Sequence, residues 1–460
     1  MNLISSNKDI HLFRHGDLSL AYDVNSGSLH LMDALGWDLV SLLSEGWKRH
    51  DAVDRLKGVY PPEEIQAALQ QLDELEREKL FFSQQPVLQE GASITRGVKS
   101  LCLFITHACN LYCRYCFARK EGNYRPLHMS QEVARRAVDF LLEAEGPRHR
   151  EIDFFGGEPL LQFPLIRDTV DYARKRAASL GRVMTFTVTT NALLLSNEVI
   201  DYLNSENINV IISIDGRPEV HNLMRPGGSG LDSYQVTIDN ALNFLQKRKF
   251  ADDYIRGTYT RENLDFSADL KHFLDLGFTS LSLEPVVASE KEDYALREED
   301  LPRLEKEYDR LAQLYLERKL EGRPFVFYHF EMDLERGPCL YKRLSGCGAG
   351  LEYLAVSPGG DLYPCHHFIE EKAFHMGNLL ERPFTFRREI GEGIYGSAKE
   401  REECHTCWAR YLCGMGCPAS SVFMAGDMKK TYALGCSLQR IRLERALYLQ
   451  AALAVAKDDN

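Results

Sequence analysis

Twelve cysteines divide this chain into two blocks: four lie between positions 102 and 116, none between 117 and 338, and eight between 339 and 436. The opening residues, MNLISSNKDIHLFRHG, lack a charged segment followed by an apolar one, so no signal peptide is expected. No apolar run approaches the roughly eighteen residues of a membrane span, so no membrane contact is expected either. The expected location is therefore cytoplasmic, where thiols stay reduced, and clustered cysteines point to metal or catalysis rather than disulfides. A net charge of −12 without a long basic block argues against nucleic acid as the main partner and mildly favours a neutral or basic one. At 460 residues and 44% hydrophobic content, the chain is long enough for roughly two to four units.

Residues 1–92 read as one such unit. Leu18–Asp23 and Leu29–Met32 have strand character around the turn Asn25-Ser26-Gly27. Ala34–Leu43 has helical spacing, and Pro61-Pro62 opens a second helix with Ile65, Leu69, Leu72 and Leu75 on one face. Strands followed by helices suggest a winged-helix-like module; the plainer alternative is an N-terminal cap on the next domain. Gly91-Ala92-Ser93 reads as a linker. From 98 to 320, strands are expected at Leu101–Thr106, Ile152–Phe155, Met184–Thr189, Ile208–Ile214, Tyr254–Tyr259 and Ser280–Pro285. Helices such as Ser130–Glu145, with Ser130 as N-cap, and Ser196–Asn204 fall between them. This alternation predicts an α/β fold with a parallel sheet. Six units suit a partial (β/α)6 TIM-like barrel, open along one side, with its chemistry at the C-terminal strand ends. Residues 337–440 are rich in Cys and Gly, with short strands and little helix, and are expected to need metal as a staple. Ser437–Ala456 reads as a closing helix, so that 441–460 forms the last segment.

Cys109, Cys113 and Cys116 stand at C-x3-C-x2-C directly after the first of these strands. Three thiolates fill three corners of a [4Fe–4S] cube and leave one iron free. The alternatives are a zinc site, which usually recruits C-x2-C pairs and a fourth protein ligand, or three unrelated cysteines. Tyr115 and Phe117 flank the last cysteine and could shield it from water. Gly156-Gly157-Glu158-Pro159 ends the second strand, Thr189-Thr190-Asn191 the third, and Ser213-Ile214-Asp215-Gly216 the fourth; Arg256 lies on the fifth. Each has a bland reading of its own, GGEP as a turn and Asp215 as a helix cap. Together, at consecutive strand ends behind the cysteine triplet, they resemble the radical S-adenosylmethionine (SAM) superfamily. The resemblance implies that SAM chelates the free iron and is cleaved by one electron to a 5′-deoxyadenosyl radical. It also assigns cofactor contacts to Gly156, Gly157, Glu158, Asn191, Ser213, Asp215 and Arg256. The glycines would let backbone approach the SAM amino group, Ser213 and Asp215 would face the ribose, and Arg256 would suit the SAM carboxylate.

The later cysteines read C347-x17-C365, then C404-x2-C407-x5-C413-x3-C417-x18-C436, with Gly360 five residues before Cys365. This resembles the seven-cysteine SPASM extension, which carries two auxiliary [4Fe–4S] clusters, making three in all. The resemblance implies that Cys347, Cys365 and Cys417 serve auxiliary cluster one, and Cys404, Cys407, Cys413 and Cys436 auxiliary cluster two. Cys339 either closes cluster one as a fourth ligand or leaves an open iron there for a substrate thiolate. A zinc ribbon would need two C-x2-C pairs, and only Cys404 and Cys407 form one. Cys102, inside the first strand, reads as a small buried apolar residue.

Three stretches narrow the resemblance: Tyr22–His30, Tyr254–Arg261, and Gly337-Pro338-Cys339 leading to Ser345-Gly346-Cys347-Gly348. They are similar to maturases of SCIFF (ranthipeptide) precursors. Those enzymes form thioethers between a cysteine sulfur and a carbon of another residue in a ribosomally made, Cys-rich precursor peptide. The resemblance implies that the N-terminal module grips the leader of that peptide by adding it to a sheet edge, near Leu18–Asp23 or Leu29–Met32. It also implies an external electron donor such as flavodoxin or ferredoxin. Two alternatives stand beside it: another SPASM reaction such as formylglycine formation in a sulfatase, and a non-catalytic iron–sulfur scaffold. No catalytic base is identified; Asp333, Glu284 and Tyr328 lie near expected cavity ends and read as structural.

Overall fold

A computed structural model describes residues 9–86, 97–118, 127–249, 252–335, 337–339 and 346–458; the expected linker Gly91-Ala92-Ser93 lies outside them. The chain opens with an antiparallel sheet of order β1 (Ile10–His15), β2 (Leu18–Asp23), β3 (Leu29–Met32). Three helices follow: α1 (Ala34–Ser44), α2 (Arg49–Leu56) and α3 (Pro62–Arg77). Asp33 caps α1 by accepting from the Gly36 N–H, and α3 starts on a proline, whose missing N–H costs nothing there. One face of the sheet packs under the helices, with Ala21 beside Leu35, Leu39, Ile65 and Leu72. The other face carries Phe13, Leu20 and Tyr22 into the main core. Covered on both faces, β2 has buried residues at four consecutive positions, Leu20–Asp23. It is also paired on both sides, so the expectation that Leu18–Asp23 offers an open edge is wrong: β1, unforeseen in the sequence, occupies that side. The outer strands are β1 and β3.

The second sheet is built by β4 (Ser100–Thr106), α4 (Gln131–Glu143), β5 (His149–Gly156), α5 (Phe163–Ser179), β6 (Val183–Thr190), α6 (Asn197–Ser205), β7 (Asn209–Ser213), α7 (Pro218–Met224), α8 (Ser233–Lys247), β8 (Tyr254–Tyr259), α9 (Phe266–Asp275), β9 (Ser280–Pro285) and α10 (Leu301–Leu320). Four short strands complete it: β10 (Val326–Phe327), β11 (Tyr353–Val356), β12 (Asp361–Tyr363) and β13 (Gly377–Asn378). The strand order is β10-β9-β8-β7-β6-β5-β4-β11-β12-β13. All pairings from β10 to β11 are parallel, so the C-terminal ends of β4 to β9 share one rim. Every residue of β4 is buried, as expected of a parallel strand covered on both faces.

The Cys-rich segment is tied to the main sheet by backbone pairing. β11 extends the sheet at its β4 edge, with Tyr353–Val356 in register with Ser100–Leu103. Leu354, Val356, Leu362 and Met376 join the main core. The segment also holds more helix than expected, including Arg388–Lys399 and Pro418–Ala425. The closing helix runs from Ala433 to Asp458 and lies along α10, where Arg445 meets Asp309 at 2.7 Å and Glu305 at 3.1 Å. Among the described residues, no helix is long and apolar enough to cross a membrane.

Candidate active site

The loop after β4 carries Cys109, Cys113 and Cys116 and is fixed from two sides. On one side the end of β5 grips its entrance: Gly157 N–H donates to Thr106 O (2.7 Å) and Glu158 N–H to Ala108 O (2.8 Å). A Cβ at Gly157 would stand 2.2 Å from Ala108 O, and one at Gly156, where φ is +143°, 2.5 Å from Thr106 O. The glycines are thus required first by this chain's own cysteine loop, a reason not visible in the sequence. On the other side, Tyr112 N–H donates to Pro226 O and Arg114 N–H to Met224 O, both at 2.9 Å.

Glu158 is buried. One carboxylate oxygen accepts from Leu160 N–H (3.0 Å) and Thr190 Oγ1 (2.8 Å), the other from Asn191 N–H (2.8 Å). Burial pushes its carboxyl up to about 7 against these hydrogen bonds. Glu158 therefore ties the end of β5 to the end of β6. Asn191 passes the connection on, donating to Asn110 Oδ1 (2.8 Å) and lying 3.8 Å from Cys109 Sγ. Asp215 is fully buried; it accepts from the Tyr115 hydroxyl and from Thr258 N–H (3.0 Å), and lies 3.0 Å from Arg225 Nε. Arg225, missed in the sequence, also reaches to 3.9 Å from Cys113 Sγ. No local pattern marks this approach to Cys113, which spans more than a hundred residues.

Ser213 and Arg256 are register partners on β7 and β8. Arg256 is exposed, and no hydrogen bond or ion pair holds its guanidinium among the described residues. Beside it, Glu284 at the end of β9 meets His329 Nε2 at 3.0 Å and Arg442 at 3.5 Å. Burial would raise this carboxyl, but His329 and Arg442 hold it well below the usual carboxylate range. Tyr328 stacks on Tyr254 with centroids 6.2 Å apart and meets the His329 ring edge-on at 5.8 Å, and Asp333 accepts from Glu335 N–H (3.1 Å). The Cys-rich segment closes over the same rim. Phe117, next to Cys116, lies 4.3 Å from the His367 ring, and Phe155 4.9 Å from His366. Both histidines directly follow Cys365; burial, helped by the Arg256 charge, pushes both below the usual imidazole range.

Cys347, Cys365 and Cys417 form a second neighbourhood: burial pushes the Cys365 thiol up to about 12, and Cys417 and Cys347 add to the shift. Cys404, Cys407, Cys413 and Cys436 line one cavity of about 320 Å³. Cys339 is exposed, at the mouth of the segment. Cys102 is buried inside β4. Among the described residues, no three His, Cys, Asp or Glu side chains lie close enough to hold a single metal ion. Donors and cations surround the cysteines: Leu111 N–H and Asn191 at Cys109, Arg225 at Cys113, and Arg410 and Arg440 lining the four-cysteine cavity. Arg410 Nε is buried there without a hydrogen-bond partner among the described residues. Thiol donors, nearby positive charge and an orphaned donor fit anionic iron–sulfur clusters.

Residues 103–247 match the model of the radical SAM superfamily. An uncharacterized protein of Methanocaldococcus jannaschii is 30% identical over 277 residues, covering 58% of this chain and 85% of that one. The chain belongs to the radical SAM superfamily. Membership implies one [4Fe–4S] cluster and SAM, for which the rim described above has the residues. The chain is also similar to a cysteine-type anaerobic sulfatase-maturating enzyme of Clostridium perfringens, 27% identical over 326 residues, covering 67% of this chain and 85% of that one. Among solved structures, it shares the fold of SuiB of Streptococcus suis bound to its precursor peptide SuiA, at 15% identity, a TM-score of 0.51, and coverage of 92% of this chain and 97% of that one.

Proposed function

We propose that this radical SAM enzyme works with three [4Fe–4S] clusters and forms a thioether in a ribosomally made, Cys-rich precursor peptide, joining a cysteine sulfur to a carbon of another residue. The observation that supports the reading is the contact of Phe117, next to Cys116, with His367, two residues after Cys365, which brings the two cysteine-bearing segments together. When bound, the first cluster and SAM supply a 5′-deoxyadenosyl radical able to take a hydrogen atom from an unactivated carbon. The chain's own residues position and enclose. Cys109, Cys113 and Cys116 hold three irons. Gly156 and Gly157 keep the loop seated, while Glu158, Asn191 and Asp215 brace it from behind. Arg256 offers its exposed guanidinium to the SAM carboxylate, near Ser213. Cys347, Cys365 and Cys417 hold the first auxiliary cluster, with exposed Cys339 either as fourth ligand or set aside for a substrate thiolate. Cys404, Cys407, Cys413 and Cys436 hold the second. In the reaction the peptide gives up a hydrogen atom, a proton and an electron, and SAM is consumed as the oxidant.

The N-terminal unit is the leader-binding module of this reading. Its outer strand β3, where Leu31 is 55% exposed, offers an edge for an extended leader. An external donor such as flavodoxin or ferredoxin supplies electrons in the cytoplasm. A second reading, formylglycine formation, is favoured by the similarity to the sulfatase-maturating enzyme. A precursor with its donor cysteine changed to serine separates the two. Thioether chemistry predicts no hydrogen loss from that peptide. A product that reacts with a hydrazide probe would show an aldehyde and favour the second reading. Deleting residues 1–92 is not a clean test, because Phe13, Leu20, Tyr22 and Val24 belong to the main core.

A further inference from the structure

The N-terminal sheet does more than offer an edge. Its β1 and the turn after β2 are bolted to the loop that carries Cys407 and Cys413. Trp408 follows Cys407 directly, and its ring lies parallel to His11 of β1, with centroids 3.9 Å apart and an interplanar angle of 5°. Tyr22 of β2 meets the same indole edge-on. Arg410, midway between the two cysteines, has a side chain only 3% exposed. One of its nitrogens donates to Asp9 Oδ1 (2.6 Å) and to Asn25 Oδ1 (2.7 Å). Asn25 is in turn fixed by Asp9 (3.0 Å) and Ser83 O (2.9 Å). The loop around Arg410 is a chain of tight turns: Arg410 N–H donates to Cys407 O and Cys413 N–H to Ala409 O. A displacement of Arg410 therefore moves both cysteines.

The same guanidinium lines the cavity shared by Cys404, Cys407, Cys413 and Cys436. We infer that the N-terminal module is a structural part of the second auxiliary site, and that Arg410, held by Asp9 and Asn25, is a positioning residue that sets both the loop geometry and the local positive charge. The physical logic is that of an outer-shell cation. A buried guanidinium beside thiolates favours the more negative, reduced state of a cluster. It is held in place because releasing it would leave a buried charge unpaired. Asp9 and Asn25 are separated from Arg410 by about four hundred residues of sequence, so their assignment to this site follows from the fold alone.

The inference rests on the three-cluster reading, and the test separates the two. Wild type, Arg410→Met, Arg410→Lys and the double variant Asp9→Asn/Asn25→Ala are reconstituted anaerobically. Iron is counted and each cluster is titrated by electron paramagnetic resonance. The SAM-perturbed spectrum of the first cluster serves as the folding control. Wild type is expected to hold about twelve irons. Arg410→Met is expected to move one cluster to a more negative potential, or to lose it and fall to about eight irons, with the first cluster unchanged. Arg410→Lys should restore part of the shift. The double variant, which keeps the arginine but frees it, should lower occupancy of the same cluster. Wild-type iron and unchanged potentials in both Arg410→Met and the double variant would overturn the inference. About four irons in the wild type would overturn the three-cluster reading and this inference with it.

Discussion

Asp215 is the sharpest point at which to disturb the cysteine loop. Its carboxylate is fully buried and takes the Tyr115 hydroxyl, the Thr258 N–H and, at 3.0 Å, Arg225 Nε. Arg225 is only 11% exposed. Asp215→Asn keeps the shape and removes the charge, leaving a guanidinium without a counter-ion beside Cys113. Breaking a buried pair from one side costs about 3–5 kcal/mol. For a chain of 460 residues, an unfolding entropy of about 2.1 cal/mol/K per residue makes 1 kcal/mol worth roughly 1 °C, so the apparent Tm should fall by about 3–5 °C. Removing both charges is far milder than removing one. Asp215→Asn/Arg225→Met should therefore recover much of the loss, with a coupling of at least about 2 kcal/mol in the cycle. The assay is circular-dichroism melting of anaerobic protein at one heating rate, with iron content measured in parallel. The reasoning is refuted if Asp215→Asn melts within about 1 °C of wild type, or if the double variant melts no higher than the worse single one.

Gly157→Ala would drive a methyl into Ala108 O, 2.2 Å from the ideal Cβ position, so it should lose about four irons from the first site and abolish SAM cleavage while the other irons remain; wild-type iron in this variant would show that the loop has room. Asp153, inside the sheet, has its carboxyl raised from 3.8 to about 7, chiefly by burial and then by Glu151. Between about pH 4 and 7 the folded chain then holds a proton that the unfolded chain has released, so this group lowers stability as pH rises through that window. Asp153→Asn should gain on wild type by at most about 2 kcal/mol between pH 5.5 and 8, read as apparent melting temperatures; an unchanged gap would contradict the assignment.

Much of the main sheet was legible because its strands are short runs rich in apolar, β-branched and aromatic residues, set between helical stretches. Leu101–Thr106 and Tyr254–Tyr259 fall within one residue of the observed strands. The cysteine spacings were equally direct, since ligands a few residues apart on one loop leave a local pattern. β1 was missed because IHLFRH breaks the apolar–polar alternation of a strand at Leu12-Phe13 and at Arg14-His15, all within six positions. That omission made β2 look like an edge. The contacts organising the site were hidden for a common reason: Asp215 with Tyr115, Arg225 with Cys113, His367 with Phe117, and Arg410 with Asp9 join residues far apart in sequence. The glycines of GGEP were noticed, but their closest partner, the carbonyl of Ala108, is a tertiary fact. The Cys-rich segment looked too poor in core to fold without metal. It also borrows the β4 edge, through backbone pairing that side-chain composition does not encode.

The most direct test of the proposed reaction is a single anaerobic turnover. The reconstituted chain is given dithionite, SAM and a Cys-rich precursor peptide with its leader, and the peptide mass is recorded together with 5′-deoxyadenosine and free thiol. The account predicts loss of a pair of hydrogens for each thiol that disappears, with 5′-deoxyadenosine formed in equal amount. SAM cleavage beside a peptide of unchanged mass and full thiol content would contradict it.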